Sequence, residues 1–335
     1  MTNPDKPRRA TIVDVAKRAG VSTMTVTRVI HKRDKVSPST RETVEHAITE
    51  LGYAPNLAAR ALVGSRVRRV CLLYGNPSSA YLGELILGAL KATSEAEANL
   101  IVERVTPDLS MEDLAAKLDR DWDGLIVPPP MSDMAGIREL IAQRNFPAVF
   151  LSSAAETGQV NEIRIDDYKA AYDIVDLLIR KGHRRIGFIK GDPSQTVSER
   201  RLAGYEDALR DAGLAVDEAC IAFGSFTYRS GEQAALALCA LARPPSAIFA
   251  SNDDMAAGAL AAAVKTGREV PADLAIAGFD DSPIATTVAP SLTTVRQPVA
   301  EMAERAVQLV LKLKGSQRPV QTIIAPHAVI ERETT

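Results

Sequence analysis

Aromatic side chains are scarce in this sequence, at 4% of residues with a single tryptophan, so its cores must be built mainly from Ala, Val, Leu and Ile. Cysteine is scarcer still. Cys71, Cys220 and Cys239 are odd in number, lack CxxC spacing and each lie in an apolar run, which argues against a disulfide framework and for buried thiols in a reducing cytosol. The longest apolar runs, "AALALCALA" at 234–242 and "AAGALAAAV" at 256–264, are nine residues, against the roughly 20 that a membrane span needs. The polar start "MTNPDKPRR" leads into no apolar stretch, so no secretory signal is expected and the location is read as cytoplasmic. GxGxxG, GxxxxGK[ST], GxSxG and HExxH are all missing. His31, His46, His183 and His327 are too scattered to suggest a metal site. Neither catalysis nor a cofactor or metal is therefore expected.

What is present is a soluble composition, 46% hydrophobic and 24% charged, in 335 residues, a length that favours two or three compact units. The charge is unevenly divided. Residues 1–69 hold 14 Lys and Arg against 6 Asp and Glu, leaving 26 against 36 for the rest. A basic head on an acidic body points to a polyanionic partner for the head alone.

The head is also patterned. Thr11 with Asp14 three residues on reads as a capping box, and Val15, Ala16 and Ala19 form the apolar stripe of a first helix. Ala19-Gly20-Val21 makes a tight turn into a second helix, capped by Ser22, with Val26, Val29 and Ile30 facing inward. Ser37-Pro38 opens a third, which buries Val44, Ala47, Ile48 and Leu51 and stops at Gly52. This is the helix-turn-helix plan, in which the second helix enters the DNA major groove. Its outward residues are Thr23, Met24, Thr27, Arg28 and His31, with Thr25 near its start. Ser22, Thr25, Lys32 and Lys35 suit phosphates, Arg28 suits a bidentate contact to guanine, and Met24 or a threonine methyl suits the thymine methyl group. A short Ala/Leu stretch follows at 57–63, too brief to be a stable helix without support.

From Val70 onward strands and helices alternate. The expected strands are 70–74, 100–105, 124–128, 148–152 and 162–165, then 185–190, 220–223, 247–251 and 274–279. Continuous apolar strands with intervening helices predict parallel sheets covered on both faces, in two similar lobes with a cleft between them. The helix at 299–314 and the strand-like "QTIIAPHAVIE" at 321–331 are expected to return to the lobes. Ligands of such sheets bind beyond the carboxyl ends of the strands, where Ser152, Asp166, Asp192, Asn252, Asp253 and Asp280 fall.

The segment "TIVDVAKRAGVSTMTVTRVI…VSPSTRETVEHAITELGYAPNLAARAL" closely resembles the head of the lactose/galactose repressor (LacI/GalR) family of bacterial transcription regulators. The resemblance continues through "DLLIRKGHRRIGFIKG", "RLAGYEDAL", "FASNDDMAAGAL" and "IAGFDDSPIATTVAPSLTTVRQP", in family order. It implies an all-α helix-turn-helix head at 1–55, a hinge helix at 56–65 and an α/β periplasmic-binding-protein-like body at 66–335. The upper lobe would span about 66–165 and 299–326, the lower lobe about 166–295 and 327–335. The implied partners are double-stranded operator DNA, a second copy in a homodimer, and a mono- or disaccharide effector, with no membrane. Thr11, Asn56, Ala59 and Leu62 join the DNA-binding set, Leu62 as the hinge leucine that wedges into the minor groove.

For the effector, the resemblance selects Arg201, Asn252, Asp280 and the stacking aromatic Phe226, with weaker matches at Ser152 and Tyr81 in the long loop "YGNPSSAYLGEL". The residues alone admit plainer roles: a helix cap for Asn252 or Asp253, turn chemistry for Asp280, a solvated helix position for Arg201, core for Phe226. The expected function is a repressor of carbohydrate-utilisation genes released by sugar. A co-repressor type and a sugar-transport protein stand as the alternatives.

Overall fold

The computed structural model describes residues 10–30, 36–53, 67–106, 109–118, 120–152, 160–313 and 319–335. It separates into two units, Met1–Val67 and Arg68–Thr335.

In the first unit, α1 (Ile12–Ala19), α2 (Thr23–Ile30) and α3 (Pro38–Glu50) form a small bundle. The expected capping box closes α1: the Thr11 hydroxyl accepts from the Asp14 N–H, and the Asp14 carboxylate accepts from the Thr11 N–H. Gly20 ends the helix at φ +68°, a left-handed conformation that favours glycine, which lets α2 begin three residues later. The Ser22 hydroxyl accepts from Thr25 N–H at 3.1 Å and so starts α2, and Ser37 caps α3 through Thr40 N–H. Val15, Ala16, Val26, Val29, Val44 and Ala47 are buried together, with Ile12, Ala19, Ile30, Ile48 and Leu51 packed around them. The short stretch at 57–63 lies outside the described residues.

The second unit holds two six-stranded sheets. The upper one runs β11-β5-β4-β3-β1-β2, from β1 (Arg69–Tyr74), β2 (Asn99–Arg104), β3 (Gly124–Val127), β4 (Ala148–Leu151), β5 (Asn161–Arg164) and β11 (Thr322–Ile324). The lower one runs β12-β10-β9-β8-β6-β7, from β6 (Ile186–Lys190), β7 (Ile221–Phe223), β8 (Ala247–Ala250), β9 (Ala275–Asp280), β10 (Thr293–Arg296) and β12 (Ala328–Ile330). All pairings are parallel except β10 with β12. The helices are α4 (Ser79–Glu95), α5 (Met111–Leu118), α6 (Ala135–Gln143), α7 (Asp167–Arg180), α8 (Thr196–Asp211), α9 (Tyr228–Cys239), α10 (Asp253–Lys265), α11 (Ile284–Thr287) and α12 (Val299–Leu313).

All nine expected strands form. β10 was not among them, because "TTVR" is short and has a single apolar residue, yet it lies between β9 and β12 with its first three residues buried. The stretch at 321–331 is two strands rather than one, and they belong to different sheets. The chain therefore passes between lobes three times: between β5 and β6, after β10 at Gln297-Pro298, and between β11 and β12 at Ala325–His327. Cys71 and Cys220 are buried as expected, but Cys239 is only half-buried, at the end of α9.

The aliphatic cores carry one aromatic file, in the lower lobe. Phe188 stacks on Tyr205 at 5.0 Å between ring centroids, then Phe249 lies 5.2 Å from Phe188 and Phe279 lies 6.5 Å from Phe249. In the upper lobe α4 crosses α12 so closely that a Cβ on Gly88 would stand 1.9 Å from the Ala300 carbonyl oxygen. Backbone cannot yield cheaply there. Gly88→Ala should thus lower the stability of the body by about 1–3 kcal/mol, read as a drop in the melting midpoint, while leaving the head's helices intact by circular dichroism.

Candidate functional site: an effector cleft and a DNA-reading face

On the head, the expected DNA-reading residues occupy one face of α2. Ser22, Thr23, Met24 and Arg28 are exposed, and Thr25 and Thr27 are half-buried. Met24 is 63% exposed, an unusual place for a large apolar side chain, and Arg28 lies over it with Nη2 3.8 Å from the thioether sulfur. The Thr27 hydroxyl donates back to Thr23 O at 2.8 Å, and Thr11 is occupied by its capping box. A guanidinium, a methyl-bearing surface and small hydroxyls on one exposed helix are the groups that base-edge readout uses. His31, Lys32, Lys35, Asn56, Ala59 and Leu62 lie outside the described residues.

In the body, a cleft lies where the strands of both sheets end, the usual place for a ligand on such sheets. All six expected effector residues line it: Tyr81, Ser152, Arg201, Phe226, Asn252 and Asp280. Tyr81 lies in the first turn of α4 rather than in a loop, and Arg201 lies on α8; the other four follow from strand ends. Ser152 follows β4, Phe226 follows β7, Asn252 follows β8 and Asp280 closes β9. Asn76 after β1, Pro129 after β3, Gln195 after β6 and Gln297 after β10 complete the ring and were not anticipated. For Gln297 the cause is plain: with β10 unrecognised, nothing marked it as a residue beyond a strand end. Asp166 and Asp192, which do follow strands, are spent locally: Asp166 caps α7 by accepting from Lys169 N–H, and Asp192 accepts from Ser194 in a turn.

Two of the expected ligand groups are also held by the protein. Arg201 is 4% exposed. Its Nε and Nη2 donate to Asp167 Oδ1 at 2.9 and 2.7 Å, its Nη1 donates to Ser251 O at 2.5 Å, and its carbon lies 3.6 Å from the centre of the Phe279 ring. A buried, hydrogen-bonded, ring-stacked guanidinium is a rigid wall, and removing either partner would strand the other charge at a cost of about 3–5 kcal/mol. Asn252 caps α10, its Oδ1 accepting from Met255 N–H at 3.0 Å while its Nδ2 donates to Phe226 O at 3.1 Å. The cap reading of Asn252 is thus realised, on the cleft wall.

Other groups are left open. Tyr81 Oη, Ser152 Oγ and Gln297 Oε1 are buried, and among the described residues the first two have no polar partner but each other and the third has none. Gln297 uses its Nε2 on Asp280 Oδ1, at 2.5 Å, which fixes the carboxylate beside its own free carbonyl. Ser152, Phe226 and Asp280 hold left-handed φ angles of +48°, +57° and +117°, conformations that cost of order 1–3 kcal/mol each and gather at binding sites. Phe226 packs its ring so near Gly191 that a Cβ there would overlap it.

Burial dominates the titration of the acids. It pushes Asp280 well above the usual carboxylate range, against the pull of Arg201 and with help from Asp253. Asp253, fully buried, is raised to about 7 by burial, although Thr294 Oγ1 and Ser282 N–H and Oγ all donate to it.

Comparison with known proteins fits this geometry. Residues 11–56 match the bacterial regulatory proteins of the lacI family, and residues 175–335 match a periplasmic binding protein-like domain. Catabolite control protein A of Priestia megaterium is 33% identical over 329 residues, covering 97% of this chain and 99% of that protein. The solved complex of the transcriptional regulator CelR with cellobiose superposes with a TM-score of 0.75 at 30% identity, covering 98% of this chain and all of that one. The lac repressor dimer bound to operator and the anti-inducer ONPF does so at 0.80 and 27% identity, covering 98% and 99%.

A helix-turn-helix unit and a two-lobed binding unit in one chain define a DNA-binding protein regulated by a small molecule. This chain belongs to the lacI family of bacterial regulatory proteins; it is a transcription regulator and not an enzyme. No helix among the described residues is long and apolar enough to cross a membrane.

The raised Asp253 carboxyl has a stability consequence with a definite sign. A folded value of about 7 above an ordinary value near 3.8 stabilises the fold at low pH, and that contribution is lost as pH rises through about 7. Glu162, raised by burial to about 7, acts in the same direction. The melting midpoint should rise by several degrees from about pH 8 to about pH 6, and Asp253→Asn should flatten that slope while lowering the midpoint overall.

Proposed function

We propose that this protein is a sequence-specific DNA-binding repressor of carbohydrate-utilisation genes that acts in the cytoplasm as a homodimer. A mono- or disaccharide in the cleft releases it from its operator. The observation that carries this reading is the set of polar atoms in the cleft that the rest of the protein leaves unmatched: a phenol, a hydroxyl and an amide carbonyl, beside an anchored carboxylate. Buried polar groups without partners are costly, and a polyol meets them with hydroxyls that both donate and accept. A phosphate or carboxylate finds no such welcome, because the guanidinium lining the cleft is already neutralised by Asp167.

The solved relatives support the same reading: one holds cellobiose, and another is a dimer on its operator. Release follows if sugar prefers one arrangement of the lobes and DNA the other, the two affinities being linked by a shared free energy. The hinge, with Leu62 as a minor-groove wedge and Asn56 and Ala59 beside it, would carry that change to the operator, and His31, Lys32 and Lys35 would extend the DNA face of α2.

A thermal-shift screen against a sugar panel, cellobiose included, should raise the melting midpoint with at least one member. With that sugar, a gel-shift titration on a duplex selected from random sequence should show release, and tighter binding would instead mark a co-repressor. Asp280→Ala should keep DNA affinity and lose the sugar response; an unchanged response would remove Asp280 from the site. Arg28→Ala should relax sequence preference by about 1–3 kcal/mol at one base pair, whereas Lys32→Ala should weaken all duplexes alike.

A further inference from the structure

Two hydrogen-bonded contacts cross between the lobes at the edges of the cleft, and each uses the end of a helix. At α8 the residue before the helix, Gln195, makes no side-chain cap. The first-turn donor is satisfied from the opposite lobe. Asp133, after β3 of the upper sheet, accepts from Thr196 N–H at 3.1 Å and from the Thr196 hydroxyl at 2.6 Å. The Asp133 side chain is 3% exposed, with the Arg138 guanidinium 3.7 Å away. A carboxylate at a helix N-terminus gains from both the orphan N–H groups and the helix dipole. Here that gain exists only while the lobes are together.

The second contact is the converse. Ser78 caps α4 in the upper lobe by accepting from Tyr81 N–H at 3.2 Å, and its hydroxyl proton goes to Asp254 Oδ2, at 2.7 Å, on α10 of the lower lobe. Asp254 is not the cap of its own helix, since Asn252 fills that role. Ser78 and Gln195 both line the cleft, so the two contacts bracket the ligand space.

We infer that Asp133–Thr196 and Ser78–Asp254 form a two-point clasp that holds the lobes closed over the cleft and thereby sets effector affinity. Charge-assisted hydrogen bonds that exist in one arrangement of the lobes add their free energy to that arrangement alone. Ligand enclosed by the closed form then binds more tightly in proportion to the closed population. The inference rests on the reading that the cleft encloses a small molecule, but the clasp itself operates without one.

The test uses the full-length protein and three variants: Thr196→Val, Asp254→Ala and the double substitution. Thr196→Val removes one clasp bond while keeping the helix N–H, and Asp254→Ala leaves the caps of α4 and α10 in place. Hydrogen–deuterium exchange without sugar should show each single variant exchanging about tenfold faster at both clasps, the unaltered one included, with non-additive effects in the double variant. Faster exchange confined to the substituted end would overturn the clasp. With cellobiose as the calorimetric probe, each single variant should bind about tenfold more weakly than the wild type, and equal affinities would also overturn it. Lack of cellobiose binding by the wild type would count against the sugar reading, and the exchange experiment would still decide the clasp.

Discussion

The body depends on one short constraint: three consecutive polar residues at the buried start of α10. Asn252, Asp253 and Asp254 each leave the helix in a different direction. Asn252 caps it and ties down the Phe226 backbone, Asp253 binds Ser282 and Thr294 beyond β9 and on β10, and Asp254 takes the Ser78 hydroxyl from the other lobe. Burying carboxylates is expensive unless they are met by donors, so a stretch that buries Asp253 and half-buries Asp254 fixes its neighbours. Gly278 makes room for this on β9, where a Cβ would stand 2.3 Å from Asp253 Oδ1. The loop after β7, the turn after β9 and the opposite lobe are all registered against one helix end.

Arg201 does equivalent work beside it. It is tied to Asp167 at the start of α7, to Ser251 just before α10 and to the face of Phe279 on β9. Through Phe279 it joins the aromatic file of the lower core, so the wall is packed directly onto the core. What this leaves free in the cleft is neutral: a phenol, a hydroxyl and an amide oxygen, with a carboxylate that burial biases toward its protonated form. The chemistry of the site is thus set as much by which groups the protein consumes as by which groups line it. Charged residues make up part of the wall, yet its unspent hydrogen-bonding capacity is that of a site for hydroxyls.

Much of this was legible along the chain because it is local. The capping box of Thr11 and Asp14, the left-handed Gly20 and the Ser37-Pro38 helix start are decided within a few residues, and they formed as read. Apolar runs bounded by turns gave nine strands, most plainly the central ones, which are buried on both faces and have no polar alternation to blur them. β10 escaped because Thr293 and Thr294 are buried hydroxyls whose partners, Arg332, Thr335 and Asp253, lie about 40 residues away. Gln297 was lost with it. Residues placed by resemblance, such as Arg201 and Asp280, do line the cleft, but nothing in their immediate sequence distinguished a free group from a consumed one.

The sequence by itself determined the division into a basic helical head and an α/β body, the order of the elements and the strand ends around which a cleft forms. These follow from hydrophobic period, capping and charge, each of which acts over a turn or two. Only the tertiary structure decided which polar atoms remain unpaired, which sheet each half of 321–331 joins and which side chains reach across from one lobe to the other. Those outcomes are pairings between groups that are often dozens of residues apart, and a donor's partner is chosen by folding rather than by its neighbours in the chain.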